Sequence, residues 1–160
     1  MEAKMLARGA TVAEFSLPDQ EGTPVAWSSF RGRPVVVFFY PKANTPGCTT
    51  EACDFRDLAS EFAAVGAAVI GISADSVRKQ ANWASKHSLG FPLLSDPARE
   101  VLEPWGVWGA KKLYGREYQG IHRTTVLFDA EGRVAEVWPK VKVKGHADAV
   151  MERVRALAAG

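Results

Sequence analysis

Pro34-Val-Val-Val-Phe-Phe-Tyr-Pro-Lys-Ala-Asn-Thr-Pro-Gly-Cys-Thr-Thr-Glu-Ala-Cys53 is the stretch from which the rest of the chain is read. Pro34 to Tyr40 is almost wholly apolar, the pattern of a strand covered on both faces. Pro41 to Gly47 is rich in turn formers. From Cys48 to Val65, Ala52, Phe55, Ala59 and Phe62 recur at helical spacing, so the sequence predicts one helix over that run. A buried strand, a loop and a helix therefore open an α/β fold.

Outward from this unit the pattern repeats. Val25 to Trp27 is a short β-rich run on the N-terminal side. Downstream, Ala67 to Ile72 reads as a second buried strand and Ser76 to His87 as a helix capped by Asp75 or Ser76. Strands alternating with helices imply parallel pairing. Beyond the turn signals Phe91-Pro92 and Asp96-Pro97, the sequence reads as irregular and aromatic-rich up to Gly120. A hairpin follows, Thr124 to Phe128 and Val134 to Trp138 joined by Asp129-Ala-Glu-Gly132, and a helix from His146 to Leu157 closes the chain. No repeat, low-complexity tract or linker interrupts residues 1–160, so the expected organisation is one α/β domain.

Charge and composition narrow the function. The 20 basic and 18 acidic residues are scattered, and a net charge of +2 gives no basic stripe for nucleic acid or an anionic membrane. A small neutral substrate fits this balance. Met1 to Arg8 carries Glu2, Lys4 and Arg8 and lacks the apolar core of a secretory signal, which points to the cytoplasm. The longest apolar run, Val35 to Tyr40, is far shorter than the roughly 20 residues needed to span a bilayer. Two cysteines are too few for a disulfide framework or a four-ligand zinc site, and His87, His122 and His146 have no metal-ligand spacing, so no metal is assigned. Five scattered tryptophans, Trp27, Trp83, Trp105, Trp108 and Trp138, read as core or surface residues rather than a ligand cage.

The chemistry is carried by cysteine. Cys48 follows Pro46-Gly47 in the first turn of the predicted helix, where free N–H groups and the macrodipole favour negative charge and hence the nucleophilic thiolate. A thiolate nucleophile also needs donors for the atom that takes up charge in its substrate, which Thr45 and the helix amides can supply. Taken without its context, a cysteine here is more often a small buried apolar residue at a helix start, and the surrounding sequence reverses that reading. Helical projection places it with Phe55, Ala59 and Phe62, and places Cys53 with Arg56, Asp57 and Ser60 on the polar face. Five residues along an intact helix separate Cα atoms by roughly 8 to 9 Å, beyond the roughly 7 Å limit for a disulfide. The spacing thus argues against a static bridge, and the absence of a Cys-x-x-Cys pair argues against a thioredoxin-type centre.

Phe38-Phe-Tyr-Pro-Lys-Ala-Asn-Thr-Pro-Gly-Cys-Thr-Thr-Glu-Ala-Cys-Asp-Phe-Arg-Asp57 resembles the active-site segment of the peroxiredoxins, specifically the bacterioferritin comigratory (Q-type) subfamily. The resemblance continues through Gly71-Ile-Ser, Phe91-Pro-Leu-Leu-Ser-Asp96, Val107-Trp-Gly109, Tyr114-Gly-Arg-Glu-Tyr118, Gly120-Ile-His-Arg-Thr-Thr125 and Val143-Lys-Gly-His146. It departs at Glu14 and Ala74, where proline is usual. The resemblance implies a thioredoxin-like fold, a central mixed β-sheet flanked by helices with an added N-terminal β-hairpin. It also implies Cys48 as peroxidatic and Cys53 as resolving cysteine. By the same resemblance Pro41 shields the thiolate, Thr45 bonds the substrate oxygen, Arg123 stabilises thiolate and peroxide, and Glu51 helps hold Arg123.

The expected activity is a thiol peroxidase. Cys48 takes an oxygen from hydrogen peroxide or an organic hydroperoxide, condenses with Cys53, and is restored by thioredoxin or a similar dithiol. The sulfur carries both electrons, so no cofactor is expected. Two other readings stay open: a thiol–disulfide oxidoreductase acting on proteins, separated by peroxide consumption, and a redox-sensing module, separated by slow oxidation without turnover. Monomer and weak homodimer are both compatible with the sequence.

Overall fold

The computed structural model describes residues 5–159; the first half of the charged N-terminal stretch read against a secretory signal lies outside the described residues. Five strands form the central sheet: β3 (Val35–Phe39), β4 (Ala68–Ser73), β5 (Leu93–Ser95), β8 (Thr124–Phe128) and β9 (Val134–Trp138), in the order β5-β4-β3-β8-β9. Pairing is parallel for β3 with β4 and β4 with β5, and antiparallel for β3 with β8 and β8 with β9. The sheet is therefore mixed. A short N-terminal hairpin, β1 (Ser16–Pro18) with β2 (Pro24–Ala26), precedes it, and the helices are α1 (Pro46–Asp57), α2 (Ala59–Ala64), α3 (Val77–His87) and α4 (His146–Ala159).

The continuous apolar run of β3 has the expected cause. Successive side chains point to opposite faces. Val36, Phe38 and Tyr40 pack with Phe55 of α1, Phe62 of α2, Trp83 of α3 and Val150 of α4. Val35, Val37 and Phe39 pack on the other face with Leu17, Phe30, Leu102, Trp105 and Phe128. Phe38 stacks on Phe55 with centroids 4.9 Å apart, which seats α1 on the sheet. Trp83 and Trp105 are buried core residues and Trp27 packs half-buried against the core, all three in ring clusters.

Three expectations need correction. The run Cys48–Val65 is two helices, not one: the chain bends at Leu58 (φ −97°, ψ 5°), which turns Ala59 out to solvent while Phe62 stays buried. The stretch before Gly120 read as irregular ends in a two-stranded arm, β6 (Trp108–Leu113) with β7 (Arg116–Ile121). It turns at Tyr114 (φ 52°) and Gly115 (φ 78°), two left-handed residues of the kind that close tight hairpins. Finally, β5 was not expected as a strand; its three residues are all buried. Of the two candidate caps of α3, Ser76 is the one used, accepting from the Lys79 N–H.

One register fixes the site. Phe39 at the end of β3 lies opposite Thr124 at the start of β8. The loop leaving β3 toward α1 and the residue preceding β8, Arg123, therefore emerge side by side.

Candidate active site

Pro46 occupies the first position of α1, where its missing N–H costs nothing and its fixed φ suits the helix. The first helical bond runs from the Thr49 N–H to the Thr45 carbonyl. The Gly47 and Cys48 amides therefore lie ahead of the ladder, at the positive end of the helix. Cys48 is 1% exposed and packs in the cluster beneath α1. The bland reading of Cys48 as a buried helix residue is thus correct about its burial; the partner at its sulfur is what sets it apart.

That partner is Arg123, 75 residues away. Its Nη2 donates to Cys48 Sγ at 3.3 Å and its Nη1 to Glu51 Oε1 at 2.7 Å. One guanidinium thus spans a thiol and a carboxylate one helical turn apart. A Cβ on Gly47 would come within 3.3 Å of Arg123 Nη2, so glycine there leaves room for the fork to reach α1. Glu51 is 1% exposed, and its Oε2 has no protein hydrogen-bond partner among the described residues. Burial pushes the Glu51 carboxyl up to about 7, against the pull of Arg123. Arg123 is held above its ordinary value, its own burial being outweighed by Cys48 and Glu51. The rise at Arg123 is what two neighbouring groups that can become anions produce, whereas the rise at Glu51 is burial opposing its own ionisation.

Thr45 precedes α1 in extended conformation, and its hydroxyl donates to the Lys42 carbonyl at 2.8 Å rather than to a helix amide. It is thereby tied to the turn. Pro41 is half-buried in the loop just beyond β3. Cys53 is half-buried beside Arg56, and both cysteines are free thiols. The structure therefore gathers Cys48, Glu51 and Arg123 into direct contact and puts Thr45, Pro41 and Cys53 on the adjoining loop and helix.

Sequence reasoning missed the support of the loop. The buried Asp75 carboxylate accepts from the Ala43 N–H and from the Ser73 hydroxyl, both at 2.7 Å. Gln80 donates to Ser73 Oγ and accepts from the Tyr40 hydroxyl at 2.6 Å. This fully connected network fixes the loop that carries Pro41 and Thr45. The closely spaced Ser73 and Asp75 at the end of a buried strand were its sequence signal.

His146, the first residue of α4, bonds Thr125 Oγ1 at 2.7 Å and packs edge-on to Phe55 and Trp138. Burial, aided by Arg123, lowers its pKa from 6.5 to about 4. Because the folded value is depressed, its contribution to stability is present above about 6.5 and is lost as pH falls toward 4. Glu51 has the opposite sign: its folded value is raised, so its contribution is present below 4.5 and is lost as pH rises through about 7. The two slopes oppose each other in mildly acidic solution. Denaturant titrations should therefore be nearly flat there for the native chain. Glu51→Gln should expose a loss of stability on acidification, on the order of 2 kcal/mol. Adding His146→Gln should flatten the profile again; a slope that persists without His146 would assign it elsewhere.

Among the described residues no helix is long and apolar enough to cross a membrane. The AhpC/TSA family profile matches residues 9–137. The chain is 45% identical over 152 residues to the putative peroxiredoxin bcp of Haemophilus influenzae, covering 95% of this chain and 98% of that one. It is also 45% identical over 146 residues to peroxiredoxin Bcp of Escherichia coli K12, covering 91% and 94%. Among solved structures, the Xanthomonas campestris bacterioferritin comigratory protein, described for its alkyl peroxide reduction activity, superposes with a TM-score of 0.86 at 41% identity over 90% of this chain and 92% of that one. A Xylella fastidiosa PrxQ variant gives a TM-score of 0.91 at 32% identity over 96% and 98%. The chain belongs to the AhpC/TSA family, within its Bcp or Q-type peroxiredoxins, and is by that membership a thiol-dependent peroxidase with a thioredoxin-like fold.

Proposed function

We propose that Cys48 is the peroxidatic and Cys53 the resolving cysteine of a single-domain cytoplasmic peroxidase, recycled by thioredoxin or a similar dithiol. The observation that carries this reading is the Arg123 fork, with one arm on Cys48 Sγ and the other on buried Glu51. The Cys48 thiolate attacks the terminal oxygen of hydrogen peroxide or an organic hydroperoxide. The O–O bond breaks, its electron pair leaves on the distal oxygen, and that oxygen takes up a proton to depart as water or alcohol. Cys48 is left as a sulfenic acid. The Cys53 sulfur then attacks it, releasing water and forming a disulfide, which the external dithiol reduces by exchange.

In this cycle Arg123 holds the thiolate and then the developing charge on the peroxide oxygens, Glu51 steadies Arg123, the Thr45 hydroxyl meets the substrate oxygen, and Pro41 covers the sulfur from water. With its proton on the Lys42 carbonyl, the Thr45 hydroxyl is free to accept from a substrate O–H, and it donates to the substrate only by leaving that turn bond. Near-neutral overall charge suits an uncharged hydroperoxide, and no nucleic acid or membrane partner is required. The reductant encounter needs only a monomer or a weak homodimer.

Stopped-flow peroxide reduction followed by mass mapping tests the assignment: a Cys48–Cys53 bridge should appear with turnover, and turnover without that bridge would remove Cys53 from the cycle. Arg123→Met should slow peroxide reduction on the order of 10²-fold and move the rate profile to higher pH, since a cation is lost from a charge-developing site. An unchanged profile and rate would make Arg123 a structural residue.

A further inference from the structure

We infer that Lys111 is a positioning residue for Arg123, an inference that rests on the role proposed for Arg123 above. Arg123 sits on the short connection between β7 and β8, and the backbone groups around it are pinned in succession. The His122 N–H donates to the Val107 carbonyl at 2.8 Å, the His122 carbonyl accepts from the Thr124 hydroxyl at 2.7 Å, and the Arg123 carbonyl accepts from the Val141 N–H at 2.9 Å. The remaining contact comes from a long side chain: Lys111 Nζ donates to the Ile121 carbonyl at 2.9 Å.

The route of that side chain is built into the β6–β7 arm. Lys111 faces Tyr118 in register, and Gly109 faces Gly120 on the same side of the arm. A Cβ on Gly120 would lie 3.2 Å from Lys111 Cδ and 3.4 Å from the Tyr118 ring. The missing side chain at Gly120 is therefore the trough through which the lysine stem reaches the Ile121 carbonyl. An ammonium group tethered two residues before Arg123 stiffens the end of β7 and so fixes the point from which the Arg123 side chain departs. Its electrostatic environment agrees with that placement: burial and Arg123 lower the Lys111 pKa, and the Cys48 sulfur opposes them. Lysine in this place differs from the exposed Lys112 next to it, which faces solvent at the arm's edge.

Three variants test the inference, with peroxide rate and the ultraviolet titration of the Cys48 thiolate as readouts. Lys111→Met, which keeps the stem and removes the charged donor, should slow peroxide reduction by about five- to tenfold and shift thiolate formation to higher pH. Lys111→Arg should recover most of both. Gly120→Ala, which obstructs the stem without touching its charge, should reproduce part of the loss and serves if Lys111→Met folds poorly. In an Arg123→Met background, Lys111→Met should have little further effect, because its action runs through Arg123. A native rate and titration in Lys111→Met, or the same fold-loss with and without Arg123, would overturn the inference. Failure of the underlying peroxidase reading shows separately, as absent peroxide reduction in the unsubstituted chain.

Discussion

Cys48→Ser should abolish fast peroxide reduction while leaving thermal unfolding close to that of the native chain. The fold should survive because serine is smaller by little and sits at a helix position whose neighbours, Gly47 and Thr49, keep the helix start unchanged. The chemistry should not survive. A serine hydroxyl does not ionise near neutral pH, and an alcohol has neither the polarisability nor the anionic character with which a thiolate opens an O–O bond. Arg123 and Glu51 remain in place, so the residual rate measures what the cation and the helix start achieve without a sulfur nucleophile. Loss of at least 10³-fold in the second-order rate is expected, of the order seen when a covalent nucleophile is removed. The measurement is stopped-flow consumption of hydrogen peroxide by protein shown to be folded by circular dichroism. Retention of a substantial rate would transfer the nucleophile to Cys53.

How far the sequence anticipates this arrangement depends on how local each feature is. The apolar run of β3, the turn after it and the cap at Ser76 are legible because strand alternation, turn residues and caps act over a few positions. The mixed sheet and N-terminal hairpin were implied by the resemblance and are present. The contact between Cys48 and Arg123 is of another kind. It exists because Phe39 and Thr124 are opposite one another in the sheet, and no periodicity within either segment encodes that register.

The failures are equally physical. The β6–β7 arm projects from the core with residues 112–119 exposed, so neither strand shows the apolar alternation that marks a half-buried strand. Its one local sign is the Tyr114-Gly115 turn. The break at Leu58 is invisible because helical spacing runs on through Phe62: α1 and α2 bury residues on the same side of the sheet, and the pattern does not register the bend. Asp75 read as a candidate cap because Asp favours helix starts, yet its carboxylate is turned inward to Ala43. In each case tertiary contacts use a residue for something its local pattern does not state.

Oxidation should open α1. In the thiol form Cys48 and Cys53 stand on a continuous helix from Pro46 to Asp57, with Cys48 buried and Cys53 half-buried on another face. A disulfide requires Cα atoms about 4.4 to 6.8 Å apart, and five residues of helix hold them roughly 8 to 9 Å apart. The bond can close only if the turns between them unwind. Unwinding carries a cost that can be read from the contacts α1 makes. Phe55 leaves its stack on Phe38, Glu51 is drawn from Arg123, Thr49 loses the Trp83 indole N–H, and Arg56 lets go of the His87 carbonyl. Exposing Phe55 alone costs about 2 to 3 kcal/mol. Loss of that much local stability raises amide exchange by on the order of 10²-fold, since about 1.4 kcal/mol corresponds to a factor of ten. Hydrogen exchange on the reduced and the fully oxidised protein should therefore show protection falling across residues 45–57 on oxidation and returning on treatment with a dithiol. Strands β3 and β4 should keep their protection, because their ladder does not depend on α1. Cys53→Ser, which forms the sulfenic acid but no bridge, should retain the protection of α1 after one equivalent of peroxide. Equal protection in both forms with the bridge confirmed by mass mapping would show that the two sulfurs meet without opening the helix, and would overturn the resolving geometry drawn for Cys53.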